Sequence, residues 1–103
     1  MRLDENSGGV ITLKEAQDLV RIFQTSNPEE VKGFFIGANH LKAILNQERC
    51  IGVRIYNAYE EESKTHTLVL IGVDGNENDM KEGVIVDRLV KCPPHCSGTV
   101  ILD

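Results

Sequence analysis

The hydrophobic period of the chain changes at Cys50, and this change constrains the fold more than any other feature. Before it, Leu13, Ala16, Val20 and Phe23 recur at helical spacing. After it, Ile51, Val53 and Ile55 alternate with Gly52, Arg54 and Tyr56, which is the period of a half-buried strand. Helices that come first and strands that follow predict an α+β fold, with the helices covering one face of a sheet.

The first half predicts two main helices. Residues 1–11 are polar and Gly-rich at their centre, so we expect a flexible arm, with one domain over residues 12–103. Thr12 and Glu15 have the spacing of a capping box, and a helix of about three turns should follow. The second helix is predicted over residues 38–48, with Leu41, Ile44 and Leu45 as its buried stripe.

The second half predicts three or four strands. They begin at Cys50, Thr65 and Gly83, and residues 99–102 can add a short last one. Leu68-Val69-Leu70-Ile71 is apolar on both faces, which is typical of a central strand, and residues 74–79 have the composition of a turn. The connections are short, so the simplest topology is a mostly antiparallel meander.

The one stretch with chemical character is Cys92-Pro93-Pro94-His95-Cys96. In a fully extended form, its two cysteines would lie about 12 Å apart, too far for a disulfide, which needs Cα atoms within about 7 Å. A turn at Pro94-His95 would bring them within reach, for a disulfide or for a shared metal. A third alternative is that the proline pair ends a strand and the thiols only pack.

The predicted meander indicates which residues lie close enough to Cys92 and Cys96 to complete a metal site. The end of the third strand should lie beside His66 and Tyr59, so the predicted zinc ligands are Cys92, Cys96, His66 and His95. Cys50 should lie at the opposite end, about 30 Å away, and is expected to be a core residue. We expect that the protein has no cofactor, and a bound zinc ion is the alternative.

The composition of the chain and the absence of known motifs exclude several classes of function. Of the 103 residues, 16 are acidic and 11 are basic, and the formal charge of −5 disfavours nucleic acid and anionic membranes as partners. No apolar run approaches the roughly 20 residues of a membrane span, and no signal sequence is visible at the N-terminus, so a cytoplasmic location is expected. No phosphate-binding loop, nucleophile elbow or zinc-protease motif is present, and Asp74–Asp79 lacks the later ligands of a calcium loop.

Three stretches together resemble a known family. They are residues 35–45, residues 50–58, and residues 68–74 running on to Cys92-Pro93-Pro94-His95-Cys96-Ser97. The chain is similar there to small uncharacterised bacterial proteins, mostly of Bacteroidota, over about residues 34–97. The resemblance implies a bacterial origin, but it implies no catalytic residues because the family has no assigned activity.

These observations give two hypotheses for function. The first is a non-enzymatic binding or accessory module, because no reaction machinery is visible; its partner would be a protein, a small molecule or a second copy of the chain. The second is a zinc-binding or thiol/disulfide protein that uses Cys92 and Cys96. The exposed face formed by Arg54, Tyr56, Asp87 and Arg88 is a further candidate surface.

Overall fold

A computed structural model describes residues 1–98 and 100–102 of the chain and confirms the α+β class. Its elements are α1 (Leu13–Ser26), β1 (Gly33–Phe35), α2 (Ala38–Leu45), β2 (Cys50–Glu60), β3 (Thr65–Asp74), β4 (Ile85–Val86) and β5 (Val90–Cys92). Among the residues described, no helix has the length and apolar character needed to cross a membrane.

The strands form two antiparallel sheets. In the larger sheet, β3 lies between β2 and β4, as the apolar run from Leu68 to Ile71 predicts. Ile55 of β2 faces Leu70, which in turn faces Val86 of β4. The smaller sheet pairs β1 with β5 and places Gly33 opposite Cys92.

The prediction of one strand from Gly83 to Lys91 is wrong. The chain leaves the larger sheet after Val86, and Arg88 takes a positive φ of 58°, which interrupts the extended backbone. It then resumes as β5 against β1, so the meander covers only β2, β3 and β4. Thr99 lies outside the described residues, and Val100, Ile101 and Leu102 are not in a strand.

α2 supplies the helical side of the core. Ile44 is fully buried and packs with Leu70 and Val86, while Val53 and Leu68 lie against this cluster at lower burial. The helix ends at Leu45, three residues short of the predicted end, and the chain reverses through Arg49, which has a φ of 71°. Of the predicted stripe, Ile44 is buried, Leu41 is half-buried and Leu45 is exposed.

α1 begins as predicted but does not cover the sheet. The Thr12 side chain accepts a hydrogen bond from Glu15 N, and the Glu15 side chain accepts one from Thr12 N, so the capping box is confirmed. None of the fourteen residues of α1, all within the described part of the chain, is buried. The expectation that both helices cover one sheet face therefore holds for α2 and is wrong for α1.

Candidate functional site

The Cys92–Cys96 loop turns back on itself. Its two sulfur atoms are joined in a disulfide, and the Cα atoms lie 4.9 Å apart rather than at the extended distance. His95 N donates a hydrogen bond to Lys91 O at 2.9 Å, which closes the turn. Lys32 N donates to Cys92 O at 2.7 Å, so β1 anchors the first cysteine.

The two sulfur-bearing residues differ in exposure. Cys92 is half-buried beside β1, while Cys96 is exposed. The third cysteine, Cys50, is a free thiol at the other end of the larger sheet, where it pairs with Asp74. Its Sγ donates to Gly52 O at 3.2 Å, and it packs against the core cluster as expected.

The four predicted zinc ligands are not assembled around a common point. The two sulfur atoms are bonded to each other and are not thiolates in this form. His95 Nε2 is hydrogen-bonded to Ser97 Oγ at 3.0 Å, and His66 Nε2 to Asn57 Oδ1 at 3.0 Å. Within residues 1–98 and 100–102, no three His, Cys, Asp or Glu side chains form a cluster able to hold a metal.

His66 does lie on the side of the molecule where the sequence placed it. It faces Tyr59 across β2 and β3, and the Phe34 ring meets the His66 ring edge-on with centroids 5.5 Å apart. Phe34 in turn pairs with Lys91 in the smaller sheet. A β1 side chain, which the sequence did not predict in this position, therefore lies against the imidazole.

Lys91 connects the two sheets, a role that was not predicted from the sequence. Its Nζ donates to Thr65 Oγ1 and lies 3.6 Å from a carboxylate oxygen of Glu60, and only 15% of its side chain is exposed. A hydrogen bond from Ser63 and then the charge of Lys91 lower the pKa of Glu60. Lys91 is a charged residue between Val90 and Cys92 in β5, and this position in an apolar strand is the sequence feature that could have indicated its role.

On the face of the larger sheet opposite α2, Arg54, Tyr56 and Asp79 form a hydrogen-bonded network. The Arg54 guanidinium donates to Asp79 Oδ1 at 2.6 Å, and the Tyr56 hydroxyl donates to the other oxygen of the same carboxylate. The hydrogen bond with Tyr56, and then Asp79, raise the pKa of Arg54. Asp87 and Arg88 lie elsewhere and pair with each other at 3.9 Å, so the four predicted residues do not form one surface.

One exposed apolar feature is on α1. Leu19, Ile22 and Phe23 follow one another at i, i+3 and i+4 and therefore share a face. These residues are 61%, 65% and 45% exposed, respectively. We call these three residues the helix patch.

A second apolar feature lies on β2. Ile55 and Tyr59 are on the sheet face that α2 covers, because they stand opposite Leu70 and His66, yet they are 57% and 62% exposed. α2 spans about 12 Å, whereas β2 spans about 37 Å, so α2 covers only part of the strand. We call Ile55 and Tyr59 the sheet patch.

Comparison with known proteins gives no match to a family model, to a curated protein or to a solved structure. The function is therefore argued from the loop and the two patches.

Proposed function

We propose that this protein is a non-enzymatic binding module of the bacterial cytoplasm that engages a protein partner through the helix patch. The observation that carries the proposal is an amphipathic helix with no buried residue. Burying a large aliphatic or aromatic side chain is worth about 1.5–3 kcal/mol. Leu19, Ile22 and Phe23 together offer a partner several kcal/mol that the isolated chain leaves unused.

The length of α1 supports the same proposal. Helices shorter than about 12–15 residues are marginal in water unless an apolar face is packed, and α1 has 14 residues. Its capping box and the Lys14–Asp18 pair stabilise the first turns, but such terms are small. A partner that covers the helix patch would supply the packing.

The charge of the chain favours protein over nucleic acid or an anionic membrane. The formal charge is −5, and the polar side of α1 carries Lys14, Asp18 and Arg21, which pair among themselves. Binding to polyphosphates or anionic lipids needs an unpaired basic face. An apolar patch beside a neutralised polar side is typical of a helix that docks in a protein groove.

Photo-crosslinking in the native host tests the proposal. A photoreactive phenylalanine analogue at Ile22 should give a discrete crosslinked species. The same analogue at Arg21 should not, because Arg21 is exposed but lies about 160° around α1 from Leu19 and Phe23. Crosslinking at neither position, or equally at both, would refute the helix patch as a binding surface.

A second function is favoured by the disulfide, and it is thiol–disulfide exchange at the surface. A thiolate of a small thiol or a partner protein would attack the exposed Cys96 Sγ, and the Cys92–Cys96 bond would break. Cys92 would leave as a thiolate and take a proton from solvent, and a mixed disulfide would remain on Cys96. Attack on the half-buried Cys92 is sterically less favoured.

Trapping the mixed disulfide tests this second function. Incubation with glutathione, followed by alkylation and peptide mass analysis, should place the adduct on Cys96 in the wild type. Cys92→Ser has no disulfide, so it is treated with oxidised glutathione instead: the Cys96 thiolate attacks one sulfur, the second glutathione leaves as a thiolate, and the adduct on Cys96 should persist because no Cys92 thiol is present to displace it. An adduct found only on Cys92 in the wild type, or no adduct at all, would contradict the assignment.

A further inference from the structure

The chain exposes more surface than a folded monomer of its size. Its accessible surface is 8048 Å², while a compact monomer of 11.5 kDa exposes about 5,800 Å². Its radius of gyration is 15.3 Å, against about 13 Å for a compact chain of this length. The excess surface is about 2,200 Å², and a standard interface removes about 800 Å² from each partner. Even if half of this excess surface belongs to the N-terminal arm, residues 1–11, the other half is enough for one such interface.

The helix patch and the sheet patch are both apolar and exposed. Beyond α2, the sheet face presents Ile55 and Tyr59 over a strand that is longer than α2 by about 25 Å. α1 is about 21 Å long and has an unused apolar face. A helix packed on this part of the sheet would complete the layer that the α+β pattern calls for.

We propose that the occupant of each patch is a second copy of this chain, so that two copies exchange their α1 helices in a symmetric dimer. The inference rests on the proposed binding role of the helix patch and names its partner. Each helix patch covers the partner's sheet patch, and the reciprocal contact forms twice. Residues 27–32, between α1 and β1, are the segment that sets the direction of α1, as the hinge loop does in exchanged dimers.

Light scattering on wild type and two single variants tests the dimer. The wild type should have twice the chain mass, and its scattering-derived radius should not match the isolated chain. Ile22→Lys and Tyr59→Lys should each shift the mass to that of a monomer, because each breaks both symmetric contacts. Gln24→Lys adds the same charge to α1 about 160° around the helix from Ile22 and should remain dimeric. Lysine favours helix more than isoleucine does, so helix propensity does not explain a loss at residue 22.

Mixing the variants separates exchange from other dimers. An equimolar mixture of Ile22→Lys and Tyr59→Lys can form one intact contact, so dimer should reappear at higher concentration than for the wild type. Dimers that survive Tyr59→Lys but not Ile22→Lys would mean that α1 pairs with α1, and would overturn the exchange. A wild type that is monomeric at 100-fold the concentration in the photo-crosslinking experiment would overturn the second copy as partner. A crosslink from position 22 to a different protein would then leave the proposed binding function standing, whereas no crosslink would remove both.

Discussion

Gln47 fastens the end of α2 to the segment that leads into β4. Its Oε1 accepts a hydrogen bond from Val84 N at 2.8 Å, and its Nε2 donates to Ile44 O at 2.9 Å. One half-buried side chain thus satisfies a carbonyl at the helix end and an amide 37 residues away. Removing the Gln47 side chain should therefore destabilise the fold.

Gln47→Ala should lower the free energy of unfolding by about 1–2 kcal/mol, since two hydrogen bonds are lost and each contributes roughly 1 kcal/mol. Gly83→Ala should destabilise as well, because its new Cβ would lie 2.0 Å from Gln47 Oε1 and displace that side chain. The two losses should not add in the double variant, as urea unfolding can show. Gly75→Ala meets nothing within 4 Å and is the control. Additive losses would mean that Gly83 acts independently of Gln47.

Ile44 is the one large side chain that is completely buried among the described residues, at 0% exposure. Ile44→Ala should therefore cost about 2–5 kcal/mol, through lost transfer free energy and a cavity against Leu70 and Val86. Leu45→Ala, on the exposed side of the same helix, should cost less than about 1 kcal/mol. Equal losses in thermal or urea unfolding would contradict this position of α2.

Thr12→Ala removes the side-chain oxygen that accepts from Glu15 N at 3.1 Å. The loss should be about 1 kcal/mol of helix stability. Because α1 has no buried residue, we expect this loss to appear as lower helix content in far-ultraviolet circular dichroism. Thr25→Ala, inside the helix, should leave the helix content unchanged or higher. A Thr12→Ala spectrum equal to that of the wild type would show that packing, not the cap, holds α1.

The disulfide closes a loop of only five residues, so its loss should have a modest effect. The chain-entropy relation gives about 2 kcal/mol for a loop of this size. Replacing both cysteines by serine should lower the free energy of unfolding by about that amount. Wild type with reductant should give the same value, since both treatments remove the same bond. A loss several times larger would mean that the bond holds β5 against β1 in the native state.

Glu60 should give the protein a pH-dependent stability below its ordinary pKa of 4.5. The hydrogen bond from Ser63 and the charge of Lys91 lower its pKa in the folded state, so the folded state binds its proton more weakly than the unfolded chain does. The associated stability is present above pH 4.5 and is lost as the pH falls through the lowered value. Glu60→Gln should flatten stability against pH in this acid range. Glu61→Gln, at an exposed neighbouring position, should preserve the wild-type slope.

The sequence was sufficient for features that depend on neighbouring residues. The capping box of Thr12 and Glu15, the strand period after Cys50 and the turn at Asp74 all follow from local patterns, and the structure has them. β3 was predicted as central because its side chains are apolar on both faces. Cys50 was placed far from the other two cysteines because antiparallel strands reverse direction at each turn, and it pairs with Asp74 at the opposite end.

The candidate site was predicted only in part. The Cys92–Cys96 spacing allowed an extended segment, a disulfide or a metal half-site, and the turn closed by His95 and Lys91 decides for the bond. The reach of Lys91 to Glu60 and the contact of Phe34 with His66 depend on β5 joining β1. That pairing links segments almost 60 residues apart, and a short apolar run gives no sign of its partner.

By itself, the sequence determined the two helices and strands β2 and β3, because capping, period and turn composition act within a few residues. Only the tertiary structure decided that Arg88 divides the last long strand, that β5 leaves the meander for β1, and that α1 stands away from the sheet. Such choices depend on which apolar faces meet across long stretches of chain. An amphipathic pattern shows that a face must be covered, but it does not say by what.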